Sequence, residues 1–207
     1  MKKIALSIAL SSTLLLGVNN VANAGIPVID AGSIAQAVQQ LVQLQQQYQL
    51  LEQQYSTMES QYKTLKNNIS SFNLSNASQI TNSMNQIDEL KKLVSSTSQL
   101  DGKTSSSSIK SQAGRLNALY KTQVNESNQR IKRNLDIVEA LKSQLAGANV
   151  ADSAKLQTAI NDAYAQINNE KTIQSGLSNS ARTGSNFLSK KYASQKLYEN
   201  SKKSSIW

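Results

Sequence analysis

Two glutamates in one helical segment are the first residues whose type and spacing could do chemistry. Glu52 and Glu59 are seven residues apart, and paired carboxylates carry out acid–base catalysis in glycoside hydrolases. On a helix, this spacing places them about 10 Å apart along the axis, and nothing in the surrounding sequence indicates a cleft. Charges beside an apolar seam are typical of packed helices. The pair therefore predicts flanking charges, with catalysis as the weaker alternative.

The densest basic cluster of the chain is Arg130-Ile131-Lys132-Arg133. Nucleic-acid-binding proteins carry cations over one face, usually with a recognisable fold or with stacking aromatics. Here Ile131 falls in a predicted apolar stripe, so we expect the cations to lie on a solvated helix surface beside a buried face. The cluster therefore predicts no nucleic-acid partner.

Two missing residue types exclude most other chemistries. The 207 residues include no histidine and no cysteine. A histidine-based triad or general base is therefore excluded, and so are most zinc sites and all disulfides. The sequence also has no glycine-rich phosphate loop and no nucleophile elbow. Catalysis would then have to use carboxylates or a Ser-Lys pair. We expect a protein that is not an enzyme and that uses no cofactor, no metal and no small-molecule substrate.

Residues 1–24 have the features of a secretory signal peptide. Two lysines precede an apolar run from Ile4 to Val18, and Ala22-Asn23-Ala24 fits the cleavage pattern. No later segment approaches the roughly 20 apolar residues that span a bilayer. We therefore expect a soluble, exported protein that begins at Gly25 and enters the periplasm. Without the two leader lysines, 20 of the 22 Lys and Arg remain against 13 Asp and Glu, a net charge of +7.

The rest of the chain has an all-α composition. Its only proline is Pro27, and Gln, Lys, Leu, Ala and Glu are good helix formers. From Ile34 onward, apolar residues recur at alternating steps of three and four, which keeps one stripe facing a partner helix. The tyrosines of this stripe are expected to bury their rings while their hydroxyls reach the edge of the interface. The predicted bundle seam is Leu41, Leu44, Tyr48, Leu51, Tyr55, Met58, Tyr62 and Leu65.

Later segments predict two more long helices and a small appendage. Within the appendage, one amphipathic helix is predicted from Ile80, Met84, Ile87, Leu90 and Val94. Ser, Asn and Thr are dense around them, so we expect the appendage to bury no large core by itself. Asp101 to Ser108 is rich in serine and predicts a flexible loop, and either Asp152 or Ser153 is expected to cap the last helix. The apolar stripe of the middle helix is predicted as Ile109, Ala113, Leu116, Tyr120, Val124, Ile131, Leu135, Val138 and Leu145.

These elements predict an all-α fold, an elongated antiparallel three-helix bundle with a small helical and loop appendage. The predicted segments are the cleaved signal peptide at 1–24, an extended N-terminal arm at 25–32, a long bundle helix at 33–72, the appendage at 73–108, the second and third bundle helices at 109–200, and a tail at 201–207.

The C-terminal region is basic. After residue 189 there is a single acid, Glu199, and there are five lysines: Lys190, Lys191, Lys196, Lys202 and Lys203. Two interpretations stay open. The lysines could attract anionic envelope surfaces by a long-range effect that salt screens, or they could be cations suited to the dipole at a helix end.

One stretch resembles a known family. The sequence AGIPVIDAGSIAQAVQQLVQLQQQYQLLEQQY, residues 24–55, is similar to the start of the minor pilin subunits of VirB/TrbJ-type conjugative type IV secretion systems. Those subunits share a signal peptide that ends just before Gly-Ile-Pro-Val-x-Asp, followed by a long helix rich in Gln and Tyr. The resemblance is strongest over residues 24–62 and weaker over the rest of the chain.

The resemblance implies a non-enzymatic subunit at the tip of the conjugative pilus, which acts in pilus assembly and recipient-cell attachment. It implies a homopentamer that contacts the major pilin and the inner-membrane channel component, located in the periplasm and then at the cell surface. By position, Ile26, Val28 and Ile29 of the arm would make the assembly contact. An equally open alternative is that the arm folds back onto the bundle.

Two other functions remain as alternatives. A periplasmic holdase chaperone can also be basic, helical and free of cysteine, and it would need an exposed apolar cavity. A peptidoglycan-cleaving enzyme would need working carboxylates such as Glu52 and Glu59. The first would act without a pilus, and the second would clear cell-wall substrate.

Overall fold

Four α-helices make up the part of the chain that the computed structural model describes, residues 31–65 and 75–204. They are α1 (Ala31–Leu65), α2 (Ser75–Thr97), α3 (Ser106–Leu145) and α4 (Val150–Ser204). The predicted all-α class is confirmed. With 55 residues, α4 is about 80 Å long. None of these four helices combines the length and hydrophobicity that a membrane crossing requires.

Side-chain caps fix where α3 and α4 begin. The Ser105 hydroxyl accepts a hydrogen bond from the Ser108 N–H at 3.3 Å, so the last serines of the predicted loop form the first turn of α3. Asn149 Oδ1 accepts from the Asp152 N–H at 2.9 Å. The predicted loop end and the predicted cap of the last helix were therefore both wrong. Ser and Asn favour loops and N-caps for the same reason, local hydrogen bonds to backbone.

The four helices pack in a ring, in which α1 and α3 each contact both α2 and α4. Between α1 and α2, the Thr81 hydroxyl bonds Glu52 at 3.4 Å and Lys91 Nζ bonds Gln45 at 3.3 Å. Late residues of one helix thus meet early residues of the next, and these two helices run in opposite directions. The pairs that join α3 to α4 follow the same order, from Ser106 with Glu199 to Arg130 with Glu170.

The three-helix detail of the prediction is not confirmed, because α2 packs against the other three helices as a fourth helix of the bundle. Its apolar face was read correctly as one amphipathic helix, and Ile80, Ile87, Leu90 and Val94 are fully buried against the other helices. The serines and asparagines around this face suggested a weakly packed appendage. Of those whose side chains are described, Asn82 and Asn85 are exposed, whereas Ser83 is buried beside the apolar residues of the inner stripe.

Two apolar cores run along the bundle. The larger core takes residues from all four helices, including Leu41, Leu90, Leu116 and Leu188. The smaller core joins Met58 of α1 to the end of α3 and the start of α4. Its members are Met58, Ile137, Val138, Leu141, Leu156, Ala159, Ile160 and Ala163. Between the two cores, the buried residues of α3 are all polar, and those of α4 are Gln166, Ile167 and Glu170.

Candidate functional site

The predicted seam of α1 lies inside the bundle wherever the structure describes it. Six seam side chains are buried, and the rings of Tyr48 and Tyr55 are among them. The other four are Leu41, Leu44, Leu51 and Met58. Tyr62 and Leu65 belong to α1, but their side chains lie outside the described part. The arm residues Ile26, Val28 and Ile29 also lie outside the described residues, so their assembly role stays a prediction.

A run of polar residues occupies the inner face of α3. Gln123, Ser127, Arg130 and Asn134 have at most trace exposure, although none of them is apolar. They follow the seven-residue spacing that links Leu116 to Gln123 and Arg130. These positions face the partner helices in a packed bundle, so α3 carries a polar layer where apolar side chains would be expected.

An ion pair forms the centre of this layer. Arg130 donates from Nε to Glu170 Oε1 and from Nη2 to Glu170 Oε2, the second bond at 3.2 Å. This is the side-on, two-point geometry that suits a guanidinium and a carboxylate. Both side chains are completely buried, so each charged group has lost its contact with water and is compensated by the other.

Hydroxyl groups make further hydrogen bonds to both members of the pair. The Ser127 hydroxyl donates to Glu170 Oε2 at 2.6 Å, and Arg130 Nη1 donates to the Ser83 hydroxyl at 3.1 Å. Arg130 Nη2 also donates to the Tyr48 hydroxyl at 2.9 Å. The layer therefore draws on all four helices, with Tyr48 from α1, Ser83 from α2, Ser127 and Arg130 from α3, and Glu170 from α4.

The two seam tyrosines tie α1 to α3 across the bundle. The guanidinium carbon of Arg130 lies 5.2 Å from the centre of the Tyr48 ring, a cation–π distance. The Tyr55 hydroxyl accepts from Asn134 Nδ2 at 2.7 Å. Burial raises the pKa of Tyr55 to about 12 and also raises the pKa of Tyr48. Both phenols are therefore held in their neutral form, as hydrogen-bonding groups of the interior.

A less buried set of side chains borders the layer between α2 and α3. Glu126 accepts from the Ser83 hydroxyl at 2.7 Å and from Gln86 Nε2 at 3.2 Å, while Gln123 bonds Gln86. Ser83 thus connects the central ion pair to this outer carboxylate. The result is a continuous network in which the buried charges are matched and the neutral groups bridge them.

We interpret this layer as fixing the alignment of the four helices along their axes. The three residues that accept hydrogen bonds from Arg130 lie on three different helices, so sliding one helix by a turn would break one or more of these bonds. Buried polar groups of this kind are best known for fixing alignment in helical assemblies. Among the described residues, no group of three acidic side chains lies close enough together to hold a metal ion.

The predicted solvent exposure of the basic cluster was wrong for its first member. Arg130 is buried, Ile131 is half-buried and Lys132 is exposed. The predicted apolar stripe passed through Ile131 and Leu135, but Leu135 is 47% exposed. The stripe had been traced through apolar residues alone, which shifted its phase in the middle of α3.

A sequence signal for the layer did exist. Arg130 lies seven residues from both Gln123 and Ile137, and Glu170 lies seven residues from both Ala163 and Leu177. Glu170 therefore interrupts an otherwise apolar row on α4, and Arg130 follows the polar Gln123 in the corresponding row on α3. Opposite charges at seam positions of neighbouring helices predict a buried pair.

The two candidate catalytic carboxylates lie on the boundary of α1. Glu52 is half-buried and accepts from the Thr81 hydroxyl at 3.4 Å, across the α1–α2 interface. Glu59 is also half-buried, one turn beyond Tyr55 on the same helix. The structure thus places Glu52 in a hydrogen bond between α1 and α2.

Residues 25–107 match a family model described as type IV secretion system proteins. The match covers α1, α2 and the first two residues of α3. Comparisons with curated proteins and with solved structures gave no match. Over the matched residues, which include Tyr48, Tyr55 and Ser83 of the polar layer, the chain is similar to type IV secretion system proteins, and this supports a component of such a system.

Proposed function

We propose that the chain is an exported minor pilin of a conjugative type IV secretion system, located at the pilus tip and acting in pilus assembly and recipient-cell attachment. One observation carries the proposal. The match to type IV secretion system proteins starts at Gly25, where the Gly-Ile-Pro-Val segment that resembles minor pilins also begins.

The internal organisation suits a subunit that acts by shape. Two apolar cores and a buried ion pair give α3 and α4 one fixed alignment. A structural subunit needs that rigidity because its contacts with neighbours depend on a constant surface. This reasoning supports an assembly role.

The N-terminal arm is the proposed assembly contact. Ile26, Val28 and Ile29 place three apolar side chains within four residues, directly before α1. By the resemblance, they contact the major pilin or the inner-membrane channel component, and the tip assembly is a homopentamer. An apolar arm gains stability when a partner removes it from water.

The test uses a strain that lacks the gene and is complemented with variants. The wild-type protein should be recovered on sheared pili and should restore transfer. Ile26→Ser/Val28→Ser/Ile29→Ser should fold normally by circular dichroism, yet be missing from sheared pili, with transfer at the level of the deletion strain. A matched control is Val42→Ser/Leu50→Ser/Leu135→Ser, since these three apolar residues are exposed on the bundle.

Three results would contradict the proposal. Sheared pili that never carry the wild-type protein would remove the tip location. A deletion that spares pili but causes outer-membrane proteins to aggregate would favour the chaperone. A cleared band in cell-wall zymography, lost in Glu52→Gln or Glu59→Gln, would favour the enzyme.

A further inference from the structure

Positive charge is concentrated at one end of the bundle. Residues 98–115 and 182–204, here called the basic end, contain nine Lys or Arg and two Asp or Glu, a net charge of +7. All other residues after 24 contain eleven of each kind. The two segments meet in the structure, because Ser106 of α3 bonds Glu199 of α4. The whole net charge of the expected mature chain therefore belongs to one end.

Both acids of the basic end are engaged in holding it together. Glu199 accepts from the Ser106 N–H at 2.9 Å and from the Ser106 hydroxyl at 2.8 Å. Its carboxylate thereby caps α3, where the partial positive charge of the helix offsets it. Asp101 Oδ1 accepts from the Lys103 N–H at 3.0 Å and from the Thr104 hydroxyl at 3.1 Å. Both carboxylates thus accept hydrogen bonds within the basic end.

Three lysines from two distant segments line one open groove. Lys103 comes from the α2–α3 loop, and Lys202 and Lys203 come from the last turn of α4. Tyr198 and one acidic residue, Glu199, also line the groove. Lys202 Nζ lies 5.7 Å from the centre of the Tyr198 ring. Ammonium groups converging on a groove suit phosphate, which accepts several charge-assisted hydrogen bonds.

Two apolar side chains are exposed among these lysines. Leu197 is 72% exposed and Tyr198 is 50% exposed, and both lie between Lys196 and Lys202. Single exposed apolar residues are common on any protein. A leucine and a tyrosine surrounded by lysines at a helix end, however, match the composition of helices that lie at membrane interfaces. Tyrosine prefers the head-group level, where its ring and its hydroxyl are both accommodated.

We propose that the basic end docks on an anionic lipid bilayer. Lipid phosphates occupy the groove of Lys103, Lys202 and Lys203, and Leu197 and Tyr198 enter the head-group region. The bilayer is favoured over nucleic acid because strand-binding surfaces use a row of stacking aromatics along a charged groove, whereas this groove has one aromatic ring beside an exposed leucine. The inference does not depend on the chain being a pilus subunit.

Vesicle co-sedimentation tests the proposal. All proteins compared begin at the same residue, so that they differ only in the substitutions. The protein should sediment with phosphatidylcholine vesicles that contain phosphatidylglycerol, not with pure phosphatidylcholine, and salt should weaken the binding. Lys103→Gln/Lys202→Gln/Lys203→Gln should bind about 100-fold more weakly, since each lysine near an anionic surface contributes about fivefold. Leu197→Ser should weaken binding about tenfold by removing buried apolar area.

A charge-matched control separates the groove from net charge. Lys121→Gln/Lys132→Gln/Lys171→Gln removes the same charge from exposed lysines outside the basic end, and it should bind as the unchanged protein does. An equal loss in this control would overturn the proposal. So would equal binding to neutral vesicles, a preference for duplex DNA at the same salt, or release from vesicles by inorganic phosphate at matched ionic strength, which would identify soluble phosphate as the ligand.

Discussion

Arg130 and Glu170 form a two-point ion pair between α3 and α4, with both side chains fully removed from water. Such a pair adds little net stability, because the cost of desolvating two charges offsets their attraction. Its structural importance lies in its partners, since Tyr48 and Ser83 bond the same guanidinium from α1 and α2. Arg130 can therefore form all of these hydrogen bonds only when the four helices are correctly aligned.

Removing one charge of the pair should be costly. Glu170→Gln leaves Arg130 buried without its counter-ion, and we expect a loss of about 3–5 kcal/mol in the free energy of unfolding. Urea denaturation followed by circular dichroism measures it. The control is Glu139→Gln on the exposed face of α3, where a change within about 0.5 kcal/mol is expected. Similar values for the two variants would mean that the pair is not buried in solution.

Removing both charges should be less harmful than removing one. Arg130→Met/Glu170→Leu fills the space with apolar atoms and leaves no unpaired charge, so the double variant should be more stable than either single variant. The coupling between the two positions is expected to be about 0.5–3 kcal/mol. Tyr48, Ser83 and Ser127 would lose a partner, so we also expect broader amide resonances around them. Additive effects in the double-mutant cycle would contradict a direct interaction.

Alkaline pH should destabilise the fold through the seam tyrosines. Burial raises the pKa of Tyr55 from 10.0 to about 12, so the folded state holds the phenolic proton more tightly than the unfolded state does. That contribution is complete below pH 10 and is lost as the pH rises from 10 towards 12. The free energy of unfolding should fall in this window, and it should fall less in Tyr55→Phe. Identical pH profiles for the two proteins would refute the assignment.

Two glycines provide a matched test of helix packing. A Cβ at Gly184 would lie 2.7 Å from Leu116 Cδ1, whereas a Cβ at Gly114 would meet nothing within 4 Å. Gly114→Ala should stabilise the protein by about 1 kcal/mol, because alanine is the better helix former. Gly184→Ala gains the same propensity but crowds the core, and we expect it to be about 1–3 kcal/mol less stable than Gly114→Ala. Thermal denaturation of both variants measures the difference.

The helical class and the inner face of α1 could be predicted because their signals are local and regular. Apolar residues repeat without interruption from Ile34 to Met58, and nothing in that range breaks a helix. The apolar face of α2 was equally readable. Its packing as a bundle wall was not, since contacts between distant helices depend on lengths and loops that periodicity does not encode.

The polar layer was missed for a different reason. Single residues such as Arg130 and Glu170 are far more often exposed than buried, so each of them in isolation favours a surface position. Only their joint placement, on the seams of two helices that run in opposite directions, makes burial favourable. Ser83 and Tyr48 complete the environment from two further helices, and that convergence exists only in three dimensions.

The length of α4 has a mechanical consequence. This helix contributes Leu156 and Ile160 to one core and Leu177 and Leu188 to the other, with Glu170 between them. Because α4 is a single helix from Val150 to Ser204, we expect an axial load at its lysine-bearing end to be carried along it past both cores. A protein built around such a continuous helix would transmit force from a partner bound at one end of the helix to a partner bound at the other.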